Sequence, residues 1–238
     1  MIRLPPVDVP PVPLRLGPVF RQTAEVISAN LGAFVVAGLT FATTVHALLV
    51  LLASTGQAGG LVALAVSVIL YPLVTAAMTY VAVQSLRGRH TGLGQALSTG
   101  LAHLVPLLAV TVVTGLAIGI GTLLFIVPGL ILRAVFAVVI PAALIERLGV
   151  RGAIVRSVRL TEGARLPVFG VVLAVELASY LLSELLFSGT AGAPAVLAGV
   201  VIGSLEFAVT AAYPAVIYVQ LRQAKESVGV EEIAPDWD

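Results

Sequence analysis

Cysteine is absent from the 238 residues, so neither a disulfide framework nor a thiolate metal site can form. Charge is scarce: Asp, Glu, Lys and Arg make up 11% of the chain, against about 25% in a typical soluble domain. Hydrophobic residues reach 59%, and the mean hydropathy is +1.09. A water-soluble fold of this length has too little interior to hide that much apolar surface. The balance excludes an ordinary soluble enzyme, a nucleic-acid-binding module and a disordered chain, and a formal charge of +1 offers nucleic acid no global attraction. Catalytic signatures are missing too. The chain has no Gly-x4-Gly-Lys-Ser/Thr phosphate loop, no His-Glu-x2-His metal motif and no Gly-x-Ser-x-Gly nucleophile elbow. With three histidines and no cysteine, no cofactor, metal or haem site is expected. Met1–Val19 lacks the continuous apolar core of a signal peptide; its prolines instead suggest an extended, polyproline-like arm.

What is present is an all-α integral membrane protein. Crossing the hydrocarbon takes about 20 mainly apolar residues, and six segments qualify, near 31–53, 61–84, 104–127, 129–147, 167–188 and 195–220. Ser54–Gly60, Val127–Gly129 and Gly189–Pro194 read as the turns between them. The expected organisation is a Pro-rich arm over 1–17, a six-helix membrane domain over 18–222 and an acidic tail over 223–238. Apart from Arg133, every basic residue falls on one side of this arrangement, and the three loops on the other side contain none. The positive-inside rule then places both termini in the cytoplasm. Twelve of the thirteen basic residues are arginine, a usage associated with GC-rich bacterial genomes, so the expected location is a bacterial inner membrane.

Three segments on the basic side are amphipathic at helical spacing. Val150–Gly163 gathers Val150, Ala153, Ile154, Val158 and Leu160 opposite Arg151, Arg156, Arg159 and Glu162. Leu93–Leu104 and Pro18–Asn30 repeat the design. Each is expected to lie in the interface, Val150–Gly163 with its arginines toward anionic headgroups; the alternative is an extended end of a spanning helix. The chain then reads as three repeats of an interfacial helix and a helical hairpin. Each returning span contains one proline (Pro72, Pro141, Pro214), either a static kink or a hinge. Spans two and six also share Tyr-Pro (Tyr71-Pro72, Tyr213-Pro214) and a Thr-Ala-Ala run (Thr75–Ala77, Thr210–Ala212).

An ionisable group inside the bilayer calls for a partner or water. Five qualify: His46, Arg133, Glu176, Glu184 and Glu206. Counting residues from the outer ends puts Arg133 and Glu184 at similar depth, which predicts an Arg133–Glu184 ion pair; the alternative is that both reach separately to the headgroups. Glu176 and Glu206 approach the midplane and His46 lies somewhat further out. These three either form a polar site able to relay protons or hold a cation, or serve as hydrogen-bonded fasteners between helices. Gly115-x3-Gly119 and Gly199-x3-Gly203 allow close helix approach, first within the chain and second between copies.

From Pro128 the sequence runs Pro-Gly-Leu-Ile-Leu-Arg133, then Pro141 and Leu144-Ile145-Glu146. Gly152-Ala-Ile-Val-Arg156-Ser157-Val-Arg159-Leu-Thr-Glu-Gly163 follows. Over about Pro128–Val171 this resembles the membrane-domain family of glycerophosphoryl diester phosphodiesterases and its uncharacterised bacterial relatives. In the fused enzymes of that family catalysis belongs to a separate soluble domain, so the resemblance implies a membrane module without an enzymatic role. It also implies that Glu146, Arg151, Arg156, Ser157 and Arg159 form a motif at the cytoplasmic interface. Physically, Glu146 can pair with Arg156 or Arg159 and fasten the amphipathic helix to span four. The first functional expectation is a non-enzymatic protein that organises membrane components or serves as an accessory subunit, with protein partners or further copies of itself. The alternative is a transporter or channel for a small solute, lipid or proton using Glu176, Glu206 and His46; a third reading is an enzyme acting on lipid headgroups.

Overall fold

The computed structural model describes residues 14–55, 57–187 and 192–233, so the arm residues 1–13 and the tail residues 234–238 lie outside the described residues. The described residues are helical, with no strand among them. A short helix α1 (Leu16–Ala29) leads into α2 (Leu31–Thr55), which returns as α3 (Gln57–Leu86). A second short helix α4 (Leu93–Ala102) leads into α5 (Leu104–Leu124), which returns as α6 (Ile126–Val135) and α7 (Val139–Ile145). A third, α8 (Val150–Thr161), leads into α9 (Arg165–Phe187), which returns as α10 (Ala193–Glu226), and α11 (Val230–Ile233) ends the described residues. Six units are long and apolar enough to cross a membrane: α2, α3, α5, the α6–α7 pair, α9 and α10. The protein is an all-α, multi-pass membrane protein.

The helix ends differ from the sequence expectation in three places. Ser54–Gly60 was expected as a loop, yet α2 runs through Thr55 and α3 starts at Gln57. The break after α5 falls at Phe125, whose backbone is extended, and not at Pro128-Gly129. Pro128 instead stands in the first turn of α6, where its missing N–H costs nothing. Gly129 packs so closely on Thr122 that a Cβ would overlap the threonine side chain, which holds α5 against α6. Pro141 divides span four. It offers no N–H to the carbonyl of Ala137 and its ring crowds that group, and the helix gives way at Phe136–Val138. Pro72 and Pro214 are carried inside continuous helices.

The well-packed core occupies the arginine-bearing half. Ala76, Ala77, Ala211 and Ala212 are buried where α3 packs against α10, so the two Thr-Ala-Ala runs supply the small residues that a close crossing needs. Towards the opposite end the helices present Leu64, Leu116, Leu123, Leu185 and Leu197 outward, as a lipid-facing surface requires.

The three short helices part company. The apolar stripe of α8 does not face outward: Ala153 and Leu160 are buried, and Val150 and Ile154 pack against the core. α1 likewise buries Val19 and Val26. Protein interior and lipid are equally apolar, so the helical period could not tell one destination from the other. α4 turns the other way, burying Ala96, Thr99 and Gly100 while Leu97 and Leu101 stay exposed. Gly100 makes this contact fit, because a Cβ there would stand 3.1 Å from the Leu73 carbonyl.

Candidate functional site

The intramembrane charges gather round one region, with one change of partner. Arg133 Nη2 reaches Glu176 Oε1 at 2.6 Å, so the expected Arg133–Glu184 pair is not formed. The reason is depth. Because α6 starts at Ile126, Arg133 sits seven residues inside it, about 10 Å from the helix end at 1.5 Å per residue. Glu184 lies only three residues from the α9 end at Phe187, whereas Glu176 lies eleven residues in, about 16 Å deep. An arginine side chain bridges the remaining offset to Glu176, and Glu184 stays exposed near the end of α9.

Beside this ion pair lies a cavity of about 380 Å³, walled by α2, α3, α6, α9 and α10. His46, Tyr71, Arg133, Ser183 and Glu206 line it, with Phe41 and Phe207 as apolar walls. Glu206 is hydrogen-bonded by the Ser179 side chain. The His46 ring donates through Nδ1 to the Ala42 carbonyl at 2.8 Å. That ring lies directly against Gly199, where any Cβ would collide with it, and a Cβ at Gly203 would touch Ala42 at 3.3 Å. The Gly199-x3-Gly203 pair therefore serves packing within the chain. Gly115 and Gly119 have no neighbour within 4 Å of where a Cβ would stand.

A second cavity, of about 190 Å³, shares Tyr71, Arg133 and Thr210 with the first and reaches to the broken joint of span four. Tyr213, Pro214, Thr75, Thr79, Thr111 and Thr114 line it. Along α3, Tyr71, Thr75 and Thr79 recur every four residues, so they stack on one face over about 12 Å. Thr114 donates to the Val110 carbonyl at 2.7 Å, but the hydroxyls of Thr79 and Thr111 have no hydrogen-bond partner among the described residues. Buried hydroxyls of this kind ask for water or a polar guest. Sequence reasoning singled out His46, Glu176 and Glu206 and passed over the tyrosines and threonines between them. The repeated Tyr-Pro and Thr-Ala-Ala runs were the available signal, since they bring Tyr71, Tyr213, Thr75 and Thr210 to the same cavity.

The motif residues at the arginine-bearing end form a closed ring. Arg156 Nε meets Glu146 Oε1 at 2.7 Å, and its Nη2 meets Glu226 Oε1 at 2.5 Å. Arg222 Nε reaches the other oxygen of Glu226 at 2.8 Å and donates through Nη1 to the Tyr218 hydroxyl at 3.3 Å. Tyr218 closes the circuit by donating to Glu146 Oε1 at 2.8 Å. Burial works against the Arg156 charge, but the hydrogen bonds of Glu146 and Glu226 hold its pKa above the ordinary arginine value. Ser157 is fully buried and donates at 2.8 Å to the carbonyl of Val135, the last residue before the break in span four. Lys225 donates to the carbonyls of Arg159 and Glu162 at 2.7 and 2.5 Å, neutralising the α8 C-terminus. Arg151 and Arg159 present exposed side chains. The ring balances two arginines against two glutamates, and its evident work is to join α7, α8 and α10.

Comparison of the chain with protein-family models, with curated proteins and with solved structures finds no match.

Proposed function

We propose that this protein binds a small polar or charged solute inside the membrane, as the binding step of a carrier or channel, and that it is not an enzyme. The observation that carries the reading is that His46, Arg133 and Glu206 line one cavity, with Glu176 paired to Arg133 beside it. Ionisable side chains in a span are costly, and where four helices bring them to a common void they mark a pathway or a site. The same reading orients the chain: the arginine-bearing end faces the cytoplasm of a bacterium, with exposed Arg151 and Arg159 toward anionic headgroups. The resemblance over Pro128–Val171 to the membrane module of glycerophosphoryl diester phosphodiesterases supports an architecture shared with that module and no hydrolytic step.

The test is solid-supported-membrane electrophysiology on proteoliposomes holding the full chain, challenged with pH steps, alkali cations and amines. Charge movement that Glu206→Gln suppresses at least tenfold is the expected result. Proteoliposomes that stay silent to every challenge, with no ligand-induced change in melting temperature, would sink the proposal.

An accessory-subunit role has one observation of its own. Gly115 and Gly119 stand on α5 with open space before them, beside the exposed Val112 and Leu116, and offer a close-approach face to another membrane helix. Cross-linking from single cysteines at these two positions in native membranes tests that role.

A further inference from the structure

With Glu206 ionised, the charge inventory round the larger cavity does not balance. Arg133 and Glu176 cancel each other through their 2.6 Å contact. His46 is bound through Nδ1 to the Ala42 carbonyl of its own helix and makes no ion pair within 4 Å among the described residues. Glu206 remains, with a serine hydrogen bond and no basic side chain within 4 Å among the described residues. A carboxyl at this depth is stabilised by a proton or by a positive charge beside it, and the cavity leaves room for the latter.

The remaining walls indicate what kind of charge fits. Phe41, Tyr71 and Phe207 line the same cavity, with Phe41 centred 4.7 Å from Phe207 and 5.9 Å from Tyr71. Aromatic faces carry partial negative charge and attract organic cations without demanding hydrogen bonds. A bare metal ion wants several hard oxygen ligands, and no cluster of three or more His, Asp or Glu able to hold one exists among the described residues. The volume of about 380 Å³ suits a small organic molecule. Glu206 itself is exposed on the flank of the bundle, beside Leu205 at 59% exposure, so the site is open to the lipid phase.

Resting on the solute-binding reading above, we infer that this cavity is a site for a monovalent, lipid-soluble organic cation, with Glu206 as its counter-charge and Phe41, Tyr71 and Phe207 as its aromatic wall. The cation neutralises Glu206 while leaving the Arg133–Glu176 pair intact.

Binding of radiolabelled benzyltrimethylammonium to the full chain in phosphatidylcholine nanodiscs tests this, with neopentylbenzene as the uncharged isostere and sodium chloride as a bare-cation competitor. Saturable binding is expected, weakened at least tenfold by Glu206→Gln and several-fold by Phe41→Leu or Phe207→Leu, and largely retained in Glu206→Asp. Neopentylbenzene and sodium are expected to compete at least tenfold more weakly. Size-exclusion profiles and melting temperatures identify any variant that has lost its fold, and Glu206→Asp with the two leucine variants then carries the comparison. Equal competition by neopentylbenzene would mean that the cavity takes neutral solutes; competition by sodium without loss in the leucine variants would mean a bare-ion site. Either result overturns the organic-cation assignment while the solute-binding reading stands. Absence of binding by every probe, together with silent proteoliposomes, removes both.

Discussion

The two ends of the bundle are built on different principles. In the arginine-bearing half, α3 and α10 meet through alanines with essentially no exposed surface, and short helices cover the spans. In the opposite half Leu123 is 88% exposed and Leu185 is 75% exposed, and contact narrows to a few points such as Gly129 on Thr122 and Gly199 on His46. Lipid tails are as apolar as leucine, so a span gains nothing from hydrophobicity alone by touching another span. Small residues, ion pairs and hydroxyl contacts must draw helices together. The cavity system lies along the border between the two.

The largest expected effect comes from enlarging a side chain in the tight half. Ala77→Leu on α3, where the native residue is fully buried, is expected to cost about 3 kcal/mol and to lower the melting temperature in detergent sharply. Leu123→Ala in the loose half should stay within about 0.5 kcal/mol of the parent. A similar loss for both would erase the contrast. Next is the ring. Glu146→Gln removes the carboxylate shared by Arg156 and Tyr218 and is expected to cost about 2 kcal/mol. A double-mutant cycle with Arg156→Gln isolates the pair: additive losses would show that the ring carries no coupling.

Ser157→Ala takes a hydroxyl from the Val135 carbonyl and leaves it only Thr161 at 3.5 Å, so about 1 kcal/mol is expected. Hydrogen exchange at Phe136–Val138 should rise in that variant and not in one carrying a distant change. The last comparison sets two glycines against each other, and Gly115 gives the smallest effect of all. At Gly38 a Cβ would stand 2.6 Å from the Ser204 carbonyl oxygen, so Gly38→Ala must force α2 from α10 and destabilise. Gly115→Ala meets nothing within 4 Å and should be neutral or stabilise by about 0.5 kcal/mol through helix propensity. Matching melting temperatures for these two alanines would contradict the packing described for α2 and α10.

How much of this was legible in the sequence follows from the physics of each feature. Six spans could be read because a bilayer sets a minimum apolar length, and the three short helices because their polar and apolar residues alternate at helical spacing. The partner of Arg133 could not be read. Moving the start of α6 from Gly129 to Ile126 deepens the arginine by about 4.5 Å, enough to exchange Glu184 for Glu176. The destination of the α8 stripe was hidden for another reason, since Ala153 and Leu160 would suit lipid as well as the interior they occupy. The Glu146–Arg156 contact was within reach because ten residues and one turn separate the two groups.

α10 carries Glu206 at the cavity and Tyr218, Arg222 and Glu226 in the ring on one unbroken helix of 34 residues. At 1.5 Å per residue it measures about 51 Å, well beyond the hydrocarbon thickness of about 30 Å. It is therefore a shaft running from the membrane interior to the far rim. Pro214 lies between its two working ends and deprives the Thr210 carbonyl of its helical partner, so the shaft bends most easily beside the cavity. The far arm of that shaft is tied down from outside, by Arg156 on Glu226 and by Glu146 on Tyr218.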